Sequence, residues 1–321
     1  MGALARALRP HPDRGDLIAA GVVALTVGVA MTELRFDHVW ARGPRLLIAL
    51  IGCALVLSMG MLARLEHESP RAYHSALLVA GLTLLAIVLL RFAQVLGVRG
   101  PLHVAGTRTW MAALLALVAL YAARRSNSAI CTLIAAVAAG VAALAFVSWA
   151  FKPHGLATLR WILLVLLVAY GVGALRLRER SRRHSVALVN AAGLATITLA
   201  LTFLVAPFVV PSLLLSGDGA VTAAPGWGWK LVIAAAAFGL VAYGAVDGEP
   251  GPAYLGFLAL ALFTLTVARP GPSGASLIGW PILLLLAGAT AIGFGLRTLR
   301  PLPPEPGDDR TTQPLQMPPR D

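Results

Sequence analysis

Long apolar runs separated by short polar connections organise almost the whole chain. A membrane-crossing helix needs about 20 mostly apolar residues, because the hydrocarbon core is about 30 Å thick and a helix rises about 1.5 Å per residue. Ten runs meet that requirement: Leu17 to Leu34, Arg45 to Leu62, Ser75 to Leu96, Arg108 to Ala123, Ala129 to Ala150, Leu159 to Leu175, Ser185 to Val210, Trp229 to Val246, Gly251 to Ala268 and Ser276 to Leu296. The pattern predicts an all-α polytopic integral membrane protein. Residues 1–16 form an N-terminal segment, 17–296 the ten-helix transmembrane domain, and 297–321 a tail. The tail holds seven prolines and almost no apolar clusters, which predicts a disordered, polyproline-like extension. The first run follows a basic leader and ends on small residues, as a secretory signal does. The leader is long and further spans follow at once, so the run is read as a span.

Aromatic residues support this count. On the ten-span path all seven Trp fall near one set of helix ends, and all five Tyr fall toward the other half. Interfacial belts explain such placement, and a wrong span count would scramble it. Arg and Lys near the span ends set the orientation. With the N-terminus inside, 14 lie on the cytoplasmic side against 10 on the other, and the run Arg176 to Arg183 carries much of the bias. Both termini are therefore expected in the cytoplasm, with the tryptophans near the outer surface.

Composition removes whole classes of function. Of 321 residues 58% are hydrophobic and 12% charged, with a mean hydropathy of +0.81. Soluble proteins are about 45–50% apolar and about 25% charged. A soluble enzyme and a disordered chain are both excluded. The net charge is +12, and of the 26 basic residues only Lys152 and Lys230 are Lys. Arg in place of Lys, with abundant Ala, Gly and Leu, suggests a GC-rich bacterial genome and the bacterial cytoplasmic membrane. Membrane lipids are the expected partners of the positive charge. No loop is long enough to fold a nucleic-acid-binding domain. Cys53 and Cys131 lie inside apolar runs and read as small buried hydrophobes, without a disulfide framework or thiolate metal site.

Similar residues recur at similar places in helices four apart. Leu17-Ile18-Ala19-Ala20 returns as Leu133-Ile134-Ala135-Ala136, an offset of 116. Arg45 matches Arg160 at 115, His74-Ser75 matches His184-Ser185 at 110, and Trp161 matches Trp280 at 119. The offsets predict a four-helix unit repeated about two and a half times. An even-numbered unit inserts every copy in the same orientation, about an axis along the membrane normal. In length and span count the chain resembles drug/metabolite transporters of the EamA type. Their five-plus-five inverted repeat is not the one these offsets give.

Few positions inside the spans can carry chemistry. No Asp or Glu lies at the middle of a run, which argues against a proton- or sodium-coupled mechanism through a midplane carboxylate. Arg91 sits about a turn from the outer end of the third run, where it can snorkel to headgroups or bind an anionic ligand. Asn190 and Gln94 are uncharged polar groups suited to interhelical hydrogen bonds. Pro207, Pro211 and Pro281 interrupt helices near the outer half, and interrupted helices point to transporter sites. An outward-facing pocket lined by Arg91, Trp110, Trp161, Asn190 and Trp229 is the expected ligand site. Ala-rich stretches around Gly140 and before Gly239 place the fifth and eighth helices at the bundle interior.

Other motifs are discounted. Gly226-Trp227-Gly228-Trp229 is similar to the Trp-rich motif of haem-handling membrane proteins but is followed by Lys230 where that motif has an acid. His38, His103 and His154 fall in successive outer loops without ligand spacing, so no metal and no cofactor are expected. Gly271-Pro272-Ser273-Gly274 looks like the serine motif of rhomboid proteases, but no histidine follows His184 to serve as base. The expected function is a transporter-like permease or a lipid or small-molecule carrier, with no catalytic residues. The second reading is a non-transporting subunit, scaffold or sensor that binds a protein partner or a second copy.

Overall fold

The computed structural model describes residues 15–35, 42–63, 72–153, 155–204 and 226–267. Among them the chain is all-helical. In order the helices are α1 (Gly15–Arg35), α2 (Arg42–Leu62), α3 (Ala72–Val95), α4 (Ala105–Ser126), α5 (Ala129–Phe151), α6 (Ala157–Arg178), α7 (Arg182–Leu204), α8 (Trp227–Asp247) and α9 (Pro250–Val267). Seven of these, α2 to α8, are long and apolar enough to cross a membrane, whereas the apolar parts of α1 and α9 are the shorter Leu17–Thr32 and Pro250–Thr266. The limits follow the hydrophobic runs to within a few residues. The tenth run, the Pro-rich tail, Pro207, Pro211, Pro281, His38, His154 and the Gly271 to Gly274 motif lie outside the described residues.

Consecutive helices run antiparallel, as contacts between opposite ends show. His74 near the start of α3 donates from Nε2 to the carbonyl of Gly60 near the end of α2, at 2.7 Å. Ser185 near the start of α7 donates to Ala174 O near the end of α6, at 2.8 Å. The most extensive packing occurs within the pairs α2–α3, α4–α5, α6–α7 and α8–α9. The turns of the last three pairs are short. Asn127 closes α4 in the left-handed conformation, its N–H bonded to Ala123 O. Gly248 does the same for α8, with φ +68, a conformation glycine adopts without steric cost.

The buried centre is formed by α3 and α7, not by α5 and α8 as the small-residue pattern suggests. Buried positions run around much of α3, from Tyr73 to Ala93, and around much of α7, from Ser185 to Phe203. α3 packs against α1 as well as α2, and α7 against α5 and α9 as well as α6. The alanines of α5 and α8 serve a different purpose: they let hairpin partners approach closely. Ala119, Ala122, Ala123, Cys131 and Ala135 form one buried cluster with Leu78 and Leu82 of α3. Ala237 is buried on α8, while Gly239 two residues on is exposed. A stripe of small residues needs only one close neighbour, whereas a central helix must meet several. Cys53 and Cys131 are both buried and free, and the Cys53 thiol lies 3.7 Å from Gly81 O.

Candidate ligand site at the tryptophan-bearing helix ends

At one end of the bundle the starts of α6 and α8 meet the end of α7. Arg160, in the first turn of α6, reaches across to Thr202 of α7. Its Nη2 donates to Thr202 O and its Nε to Thr202 Oγ1, both at 3.3 Å. The Thr202 hydroxyl in turn donates to Leu199 O at 2.7 Å. The guanidinium carbon sits 3.7 Å from the ring centroid of Phe203, a cation–π arrangement that also shields one face of the group from water.

Aromatic rings continue from Phe203. Trp229 of α8 lies 6.2 Å from the Phe203 ring centroid, and Trp161 of α6 lies 5.3 Å from Trp229 at an interplanar angle of 66°. Trp161 is 61% exposed. The result is a cation and a wall of indole and phenyl rings at one helix-end level. Such a surface suits a ligand with a negative head and an apolar body. The hydrogen bonds to Thr202 occupy Nε–H and one Nη2–H of the five guanidinium donors.

A related arrangement stands at the end of α3. Arg91 is 8% exposed and donates from Nη1 to Gln94 Oε1 at 2.6 Å. The next residue, Phe92, meets Trp110 of α4 edge to face, with centroids 6.3 Å apart. Trp149, at the end of α5, covers Gly106 of α4 so closely that a Cβ there would stand 3.2 Å from the indole.

Of the residues expected to form one pocket, the structure joins Trp161 with Trp229, and places Trp110 beside Phe92, next in sequence to Arg91. Asn190 is elsewhere. It lies twelve residues before Thr202 on α7, about 18 Å along the helix axis, against Gly251 at the start of α9. Its Oδ1 is buried there without a hydrogen bond. Sequence reading missed Arg160, Thr202 and Phe203 as site residues. The adjacent pair Arg160-Trp161 at a helix start was the available signal, but its meaning depends on which helix end lies opposite. Among the described residues no group of three or more His, Cys, Asp or Glu is placed to hold a metal ion.

The opposite end of the bundle is polar. Arg178 at the end of α6 pairs with Asp247 at the end of α8, Nη2 to Oδ1 at 2.7 Å. Arg182 donates to Asp247 O and lies 3.7 Å from Glu249. His184 reaches the α4–α5 turn, with Nε2 2.9 Å from Asn127 Oδ1 and Nδ1 2.5 Å from Thr132 Oγ1. An amide oxygen can only accept, so Nε2 of His184 donates to Asn127 Oδ1.

No protein-family model, curated protein or solved structure matches the chain.

Proposed function

We propose that the protein is a transporter-like permease or a carrier of a lipid or small molecule, and that its ligand carries a negative head on an apolar body. One observation carries this reading: Arg160 is held over Phe203 beside the Trp161–Trp229 pair, where a membrane-embedded chain would present them to an amphipathic anion. Arg91 and Trp110 supply the corresponding groups in the first half of the chain. Asn190, with its buried and unbonded oxygen, is a polar contact deeper along α7. No Asp or Glu lies in the middle of any described helix, which favours recognition without a midplane carboxylate.

The reading includes a ten-span domain in the bacterial cytoplasmic membrane and a four-helix repeat. Several features support the repeat. α3 and α7 are four apart and are the two most buried helices. α1 packs on α3 as α5 packs on α7. Phe92 with Trp110 has a counterpart in Phe203 with Trp229, and Arg45 and Arg160 each stand at the fourth position of their helices. The second reading, a membrane subunit or sensor that binds a protein partner, draws on α6. Trp161, Val165, Val168, Val172 and Leu175 are all exposed on it, at the spacing of one helical face.

Native mass spectrometry of the protein extracted with its own lipid tests the carrier reading. A stoichiometric lipid or small molecule that is lost in Arg160→Gln and in Trp229→Ala is expected. A wild-type protein that carries no such molecule, or that carries one unchanged in both variants, overturns it.

A further inference from the structure

Two arginine groups far apart in sequence come together at the end of the bundle opposite the tryptophans. Arg124 and Arg125 close α4, and five more arginines lie between Arg176 and Arg183 around the α6–α7 turn. α5 and α7 pack side by side, and the His184 ring bonds both Thr132 of α5 and Asn127 of the α4–α5 turn. These bonds hold the two turns next to each other, so seven arginines share one surface.

Among the described residues, acids at this end are fewer than the seven arginines. The acids described at this end are Asp16, at the start of α1, and Glu179, Asp247 and Glu249. Asp247 is engaged by Arg178 and Glu249 lies beside Arg182, contacts that tie the α6–α7 turn to the α8–α9 turn. Arg124, Arg125, Arg176 and Arg180 are exposed and make no ion pair among the described residues. They stand where apolar helices end, which is the level of lipid headgroups. A guanidinium matches a phosphodiester in a two-pronged geometry that an ammonium does not.

We propose that this arginine surface is a binding platform for anionic phospholipid headgroups, assembled from the two turns by His184. It is independent of the carrier reading, since it lies at the other end of the helices from Arg160. Each arginine near an anionic membrane surface contributes about fivefold in lipid partition.

The test uses the full-length protein in nanodiscs containing equal amounts of phosphatidylglycerol and phosphatidylcholine, where orientation in the cell has no bearing. Lipids retained on release are counted by native mass spectrometry. Phosphatidylglycerol is expected in excess on the wild type, with the excess falling by about tenfold or more in R124Q/R125Q/R176Q/R180Q. The excess is expected to shrink as salt is raised. His184→Ala keeps every charge and is expected to lose part of the excess, while Arg160→Gln keeps all of it. If the quadruple variant does not fold, the salt series on the wild type decides. No excess on the wild type, an excess unchanged in the quadruple variant, or one indifferent to salt overturns the proposal, and the first of these leaves an acidic protein as the occupant to seek.

Discussion

At Gly256 of α9 a Cβ would stand 2.9 Å from Ala237 O and from Val241 N, both backbone atoms of α8. Backbone cannot swing aside as a side-chain tip can, so the helices must separate. Gly239, on the same helix pair, has nothing within 4 Å of its would-be Cβ. Gly256→Ala is therefore expected to destabilise the protein by about 1–3 kcal/mol, seen as a lower melting temperature in detergent. Gly239→Ala is expected to be neutral or to gain up to about 1 kcal/mol, as alanine is the better helix former. Equal effects of the two would mean that α8 and α9 do not approach as closely as these positions require. Sequence alone could not separate these glycines, because both sit in Ala- and Leu-rich helix. The same limit hid Arg160: its neighbours Thr202 and Phe203 are some 40 residues away, and only the α6–α7 hairpin brings them together.

Helix limits were legible because burial in lipid and burial in protein both demand apolar runs of similar length. Which helix lies at the centre was not. α6 is nearly as apolar as α3, yet it buries little more than Leu163 and Ala174, while α3 buries residues on most of its circumference. In the bilayer, lipid is as apolar as leucine, so hydrophobicity cannot distinguish a lipid face from a protein face. The α6 stripe through Val168 exemplifies the problem. A spin label at Val168 is expected to collide freely with oxygen dissolved in the bilayer, and one at Leu199, which is 1% exposed on α7, is expected to be shielded. A shielded label at Val168 with strong label-to-label coupling would assign the stripe to a second copy or a partner helix and favour the subunit reading over the carrier.

For the molecule as a whole, orientation depends on a narrow margin that the fold concentrates in one place. The turns of α4–α5, α6–α7 and α8–α9 emerge at the end that carries the arginine surface, while the α3–α4 and α5–α6 connections emerge at the tryptophan end. The positive-inside rule counts Arg and Lys in short connections, and on the proposed ten-span path with the N-terminus inside the margin is 14 against 10. Five of the 14 lie between Arg176 and Arg183. Replacing those five with Gln leaves nine against ten, which abolishes the preference while changing no apolar residue. Single cysteines at Ser181 and Gly155, labelled in intact cells with a membrane-impermeant maleimide, report the result. In the otherwise unaltered chain Gly155→Cys is expected to react and Ser181→Cys to be protected. In the background of the five Gln substitutions both are expected to react, because chains insert in both orientations. A Ser181→Cys that reacts before any arginine is removed would place the arginine surface outside, and the lipid it meets there would be that of the other leaflet. Native cysteines do not confuse the readout, since Cys53 and Cys131 are both buried. The same experiment bears on the repeat. A four-helix unit demands that the α2–α3 and α6–α7 connections share a side, so a cysteine at Ala63 must behave as Ser181→Cys does in the unaltered chain. Opposite behaviour at these two positions would require an odd number of crossings between them and would remove the repeat together with the span assignment on which it stands.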